Sequence, residues 1–341
     1  MIELVELTIR KDRKNYIVCD VRRQEYYEMP EAAVEAVRGL QQGRPLPELE
    51  AELRRRYPEE EIDLAAFVRQ LQELGLVRRP DEALGGSVRL EMPAVDHAGQ
   101  AGRGHAVPPM LQRLGRMLYH PAALAVYVVF FAANLAQLLG VEGRMPQYAD
   151  LFVSASMMHN MLAWALFGLA AALLHECGHT LAMAARGLPT RWRLGHRWVL
   201  PVLETEMNGV WSLPASQRYV PYLAGMCVDQ ALLFAVLALQ GLLPESSGLQ
   251  PWLRMFSLHL LLTFGYQLLF FLKTDLYYVV ENASGSYNLR ENAVGLLRGR
   301  LGLRSRDPLQ HHAEPVIYEG EREWIRAYAL LYAAGVGVGL L

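Results

Sequence analysis

The sequence predicts a mainly α-helical chain in two parts: a polytopic transmembrane helical bundle, preceded by a small N-terminal α+β domain of winged-helix-like build. Three observations predict it. Of the 341 residues, 52% are apolar and only 20% are charged, a balance that suits a chain partly in water and partly in lipid. The apolar residues are segregated. Residues 1–118 are mostly polar and charged, whereas residues 121–140, PAALAVYVVFFAANLAQLLG, carry no ionisable side chain over the ~20 residues that a helix needs to cross a bilayer. Within the polar part, partial alternation gives way to helical spacing, the pattern of a small mixed module.

The N-terminal elements follow in order. Residues 3–21, ELVELTIRKDRKNYIVCDV, alternate in part and include β-branched positions, which predicts two or three short strands. Residues 30–40 open with Pro30, suited to a first helical position, and carry Ala33, Val34, Val37 and Leu40 on one face. Residues 46–57 repeat that pattern. Residues 62–75 place Leu64, Phe67, Val68, Leu71 and Leu74 at helical spacing and stop at Gly75. A strand and three-helix unit over residues 1–79 is large enough to fold alone. From 80 to 109 the chain is rich in Gly, Pro, Ala and His, so residues 80–117 are expected to be a flexible linker to a membrane domain over 118–341.

Further apolar runs at 151–174, 220–243 and 252–272 predict three more spans, and 325–341 is a shorter, glycine-rich candidate. Basic residues orient them. Arg113 and Arg116 precede the first span, Arg186, Arg191, Arg193, Arg197 and Arg218 follow the second, and Lys273, Arg290, Arg298, Arg300, Arg304 and Arg306 follow the fourth. The intervening loops VEGRMPQYAD and PESSGLQ hold one Arg between them. The positive-inside rule then places the N-terminus in the cytoplasm of a bacterial-type membrane, with residues 175–179 and 273–275 on the same side. A formal net charge of −2 argues against a nucleic-acid partner. No secretory signal opens the chain. Cys19, Cys177 and Cys227 are too few and scattered for a disulfide framework.

The chemistry is concentrated in LLHECGHTLA, residues 173–182. H-E-x-x-H on a helix sets His175 and His179 on one face with Glu176 beside them. Two imidazoles and a third ligand suit a single Zn2+ with one position open to water, and Glu176 is the candidate general base. Asp229 and His259 fall inside predicted spans, where an ionisable group is a functional candidate by default, although each can also pair with a neighbouring helix or with the other. Residues 198–213, WVLPVLETEMNGVWSL, alternate in part and contain a turn-like Asn208 and Gly209, which predicts a hairpin; Glu204 and Glu206 read as its solvated face.

Two resemblances sharpen the picture. The run YIVCDVRRQEYYEMPEAAVEAVRGLQQGRPLPELEAELRRRYP and the ending FVRQLQELGLVRR resemble, over residues 4–79, the PqqD-like domains that recognise leader peptides of ribosomally made, modified peptides. The resemblance implies a leader that adds as a strand to a sheet edge. On H-E-C-G-H together with Lys273, Thr274, Asp275, Leu276, Tyr277, Tyr278 and the later Asn288, Leu289, Arg290, residues 120–300 resemble site-2 protease-like membrane zinc metallopeptidases. That resemblance implies Asp275 as the third zinc ligand and the hairpin as a strand partner for substrate. Asn208 and Gln267 become candidate substrate-binding residues.

The chain departs from the second family at three places: Gln267 stands where the family has asparagine, Phe270 where it has proline, and Leu276 where it has glycine. Without that proline and glycine, the fourth helix is expected to be less broken near the metal. The two resemblances together imply an intramembrane zinc endopeptidase that matures a precursor peptide, working beside modifying enzymes or an exporter. Regulated cleavage of a transmembrane substrate and a non-catalytic peptide-binding or export scaffold are the alternatives.

Overall fold

The computed structural model describes residues 2–13, 15–78, 107–197, 200–300, 302 and 320–339. The chain divides into two compact units, one of Met1–Ala106 with Gly187–Pro189 and Asn208–Ala215, the other of Val107–Arg186, Thr190–Met207 and Ser216–Leu341. The expected linker lies outside the described residues over 79–106, and its last part is a helix.

The first unit opens with an antiparallel sheet of β1 (Leu7–Asp12), β2 (Asn15–Asp20) and β3 (Glu25–Met29) in that order. The central β2 is the apolar NYIVCD, with Tyr16, Ile17 and Val18 buried. The third strand falls beyond residue 21, where the sequence reading had stopped, because EYYEM has no β-branched residue and reads as polar. It forms because Asp20 folds the chain back, its Oδ1 accepting from the backbone N–H groups of Arg22 (2.9 Å) and Arg23 (3.2 Å).

Three helices follow: α1 (Glu31–Gln41), α2 (Leu46–Arg56) and α3 (Leu64–Glu73). They match the expected segments, with Pro30 capping α1 from outside and not occupying its first turn. Asp63 caps α3, its Oδ1 accepting from Ala66 N–H at 2.8 Å. Gly43 and Gly75 stop α1 and α3 in the left-handed region, φ 71° and 70°, which glycine enters without a Cβ clash. Val18, Val34, Val37, Leu40, Leu49, Leu53, Leu64 and Leu71 form one core. The chain after α3 closes the unit, with Val5 N–H donating to Leu76 O at 2.9 Å.

The second unit begins with α4 (Pro109–Leu118), then α5 (Pro121–Gly140) and α6 (Met157–Ala184). A hairpin of β4 (Arg191–Arg197) and β5 (Leu200–Glu206) precedes α7 (Ala215–Leu242), α8 (Gln250–Gln267), α9 (Asp275–Ser284), α10 (Leu289–Arg300) and α11 (Arg322–Gly339). Among the described residues three helices, α5, α6 and α7, are long and apolar enough to cross a membrane. The expectation of four spans and a candidate fifth thus meets three. The apolar run of α8 is interrupted by Arg254 and His259 and ends at Gln267, and α11 starts with Arg322, Glu323 and Arg326.

Of the three, α7 is the most enclosed, with 44% of its apolar window buried against 11% for α5. On α5, Val128, Val129 and Leu139 are more than half exposed, as are Met158, Met161, Leu162, Leu166 and Leu169 on α6. A belt of this kind is tolerable in lipid and a liability in water. Helices α6 and α7 approach through small residues. A Cβ on Gly178 would stand 2.8 Å from Ala224 O, and one on Gly225 would stand 2.3 Å from His175 Nε2, the close backbone packing that membrane helices use.

Candidate metal centre

The C-terminal half of α6 carries His175, Glu176 and His179, all buried. Helical periodicity brings the histidines to one side of α6, and the two glycines let α7 lie against them. Contacts from α7 then orient both rings. His175 donates through Nδ1–H to Asp229 Oδ2 at 2.7 Å, and His179 donates through Nδ1–H to Pro221 O at 2.8 Å. Both partners can only accept, so both imidazoles carry a proton on Nδ1 and turn Nε2 the other way. The two Nε2 atoms face each other at 3.2 Å.

Asp275, the first residue of α9, completes the group. Its Oδ2 lies 2.8 Å from His175 Nε2 and 3.3 Å from His179 Nε2. Burial works to raise this carboxyl, and the two imidazoles outweigh it and hold it well below the usual carboxylate range. With both imidazoles neutral, as metal binding requires, three lone-pair atoms would converge here. One added proton can bond only part of such a set, whereas one cation bonds all three. A tetrahedral zinc with bonds of about 2.05 Å spaces its ligands by about 3.3 Å. Both separations at His179 match, and the His175 to Asp275 separation is shorter, a hydrogen-bond length. The residues fit a metal of the kind that takes nitrogen and oxygen ligands.

Glu176 also offers a carboxylate oxygen within 4.8 Å of a ligand atom of each histidine, while Asp275 Oδ2 lies within 3.3 Å of both Nε2 atoms. Either carboxylate could thus stand beside the two histidines as a third oxygen donor. The backbone of Glu176 is tied to the hairpin, Thr205 Oγ1–H donating to Glu176 O at 3.3 Å. Trp192 Nε1–H of β4 donates to Thr180 Oγ1 at 2.9 Å, so both strands attach to α6 near the cluster.

Gln267 sits at the last turn of α8 and is 5% exposed. Its Nε2–H donates to Asp275 Oδ2 (3.1 Å), its Oε1 accepts from Asp275 N–H (3.0 Å), and its backbone oxygen accepts from Thr274 Oγ1–H (2.8 Å). These bonds hold a complete break between α8 and α9 over 268–274, with Lys273 in the left-handed region at φ 54°. The expectation of a less broken helix is thereby corrected. The break is held by the Gln267 side chain at Asp275 N–H and by one left-handed lysine.

The two motif segments after α8 are joined through buried polar groups. Tyr277 Oη–H donates to Glu281 Oε1 (2.6 Å), Leu289 N–H donates to the same oxygen (3.0 Å), and Arg290 N–H donates to Tyr277 Oη (3.1 Å). Burial raises the Glu281 carboxyl above the usual range, against these donors.

The other candidates are placed as follows. Asp229 pairs with His175, while His259 packs edge-on against Trp164 at 4.9 Å and its Nδ1 has no hydrogen-bond partner among the described residues. The hairpin lies earlier than expected: β4 pairs with β5 from Arg191↔Glu206 to Arg197↔Leu200, and Asn208 opens a 3-10 turn, Asn208–Ser212. RWRLGHR is too polar to read as a strand, and its pairing rests on partners such as Arg193 and Glu204, 2.7 Å apart. Asn208 belongs to the first compact unit and is not grouped with the metal residues. The roles of Asp229 and the Pro221 carbonyl were not legible in advance, apart from the cost of a carboxylate in a span.

Among known proteins, the family model described as coenzyme PQQ synthesis protein D (PqqD) matches residues 15–77 of this chain. No curated protein and no solved structure matches it. The matched segment runs from the start of β2 through α3, so the N-terminal unit carries a PqqD domain, beside a chain with three helices able to cross a membrane.

Proposed function

We propose that this protein is a membrane-embedded zinc endopeptidase that matures a small ribosomally made precursor peptide, captured by its PqqD domain. The observation that carries the reading is the convergence of His175 Nε2, His179 Nε2 and Asp275 Oδ2 within 3.3 Å of one another, with Glu176 alongside. One zinc per chain, bound by these three residues, would polarise the scissile carbonyl and lower the pKa of the attacking water. Glu176 would take the proton from that water and deliver it to the leaving amine. The hairpin next to α6 offers backbone groups to an extended substrate, and the PqqD domain offers its sheet edge to the leader. Gln267, spent on Asp275, serves the ligand before it serves a substrate. Basic residues flanking the spans support a cytoplasmic N-terminus, the side on which a newly made precursor appears.

The test uses the full-length protein in detergent with a precursor peptide encoded beside its gene, read by mass spectrometry. Wild type should cut the peptide at one bond. Glu176→Gln should keep the zinc and lose cleavage, because an amide takes up no proton. Cleavage by Glu176→Gln at the wild-type rate would remove the mechanism, and zinc-loaded wild type that cuts no such peptide would favour a peptide-binding scaffold.

A further inference from the structure

We infer that Asp229, on α7, is a positioning residue for the metal centre: it fixes the tautomer and ring orientation of His175 and supplies a second negative charge to the site. The inference rests on the metal reading above.

The geometry is specific. Asp229 is 3% exposed, and its Oδ2 meets His175 Nδ1 at 2.7 Å, the length of a charge-assisted bond. Its Oδ1 is buried and has no hydrogen-bond partner among the described residues. A carboxylate inside a membrane helix with one oxygen unsatisfied is costly, and the His175 imidazole is the ion-pair partner found for it among the described residues. The compensating charge is then the one it reaches through the imidazole. A dication held by neutral His175, neutral His179 and anionic Asp275 leaves one positive charge, and Asp229 cancels it. A site neutral over five groups is the arrangement a low-dielectric surrounding favours. The contact also reaches across the helix pair, 54 residues apart in sequence, and exists because Gly225 leaves room for the ring.

Such outer partners change metal affinity by about 10- to 100-fold when removed. The measurement is zinc affinity of the full-length protein by chelator competition, together with the visible spectrum of the Co2+-loaded protein and a melting curve in excess chelator. Asp229→Asn keeps shape and an acceptor for His175 Nδ1–H but loses the charge; it should bind zinc about 10-fold more weakly, with its chelated melting curve unchanged. Asp229→Leu should lose about 100-fold and shift the Co2+ bands. A purely structural Asp229 would leave the affinity of Asp229→Asn at the wild-type value, and that result overturns the inference while leaving the metal reading intact. Should Asp229→Leu fail to fold, Asp229→Asn decides alone. Wild type that takes up neither ion overturns the metal reading and the inference with it.

Discussion

Gly225→Ala tests whether the approach of α7 to α6 builds the metal centre. The added Cβ would stand 2.3 Å from His175 Nε2 and 2.5 Å from both Cδ2 and Cε1. To reach even 3.0 Å the ring must retreat by at least 0.7 Å, or α7 must move outward by as much. Either motion stretches the 2.7 Å bond to Asp229 and separates Nε2 from Asp275 and His179. Metal ligands need placement within about 0.5 Å, so zinc affinity should fall at least 10-fold, equivalent to about 1.4 kcal/mol. Overpacking should cost a further 1–3 kcal/mol or so of stability, against the ~1 kcal/mol that alanine gains over glycine in a helix. Gly265→Ala on α8 is the control, since a Cβ there meets nothing within 4 Å; it should be neutral or slightly stabilising. The assay is zinc per chain after dialysis against a buffered zinc concentration, paired with thermal melts. Wild-type zinc affinity in Gly225→Ala, at unchanged stability, would refute the reasoning.

Other outcomes follow from single contacts. Glu281→Leu leaves Tyr277 O–H and Leu289 N–H without their acceptor and should cost about 1–3 kcal/mol, whereas Glu281→Gln keeps the oxygen and should melt close to wild type. Because the Glu281 carboxyl is raised in the folded chain, the fold holds that proton more tightly than the unfolded chain does. Its contribution to stability should therefore decline as pH rises from about 4.3 through the folded value, and melting curves of Glu281→Gln should lack that decline. Asp63→Ala removes the cap on α3 and should lower stability by about 1 kcal/mol in denaturant titrations; no change would mean water replaces the cap without loss. Removing residues 1–79 should weaken capture of a full precursor and leave slow cleavage of a short core peptide, and a proline at a strand-pairing position of the leader should abolish capture by the domain. Unchanged processing by the truncated protein would return the PqqD domain to a structural role.

Elements whose pattern is local were legible in the sequence. The periodicity of Leu64, Phe67, Val68 and Leu71 specifies α3, and four-residue spacing alone puts His175 and His179 on one face, because each helix turn repeats the same geometry. The uninterrupted apolar run of 121–140 fixes α5 by length and composition. Strands were harder: β3 and β4 are polar segments that exist only because a neighbour supplies the ladder, Asp20 turning the chain into one and Glu204 pairing across to the other. Asp275 was reached only through resemblance, since one aspartate after an apolar run looks like any other. Tertiary structure alone decided the remainder of the centre. His175 points its Nε2 inward because Asp229, on another helix, takes its Nδ1 proton, and that contact depends on two glycines whose absent side chains leave no mark in a hydropathy pattern. A helix specifies its own faces through bonds four residues apart, but which group meets a face is settled by packing between segments tens of residues apart.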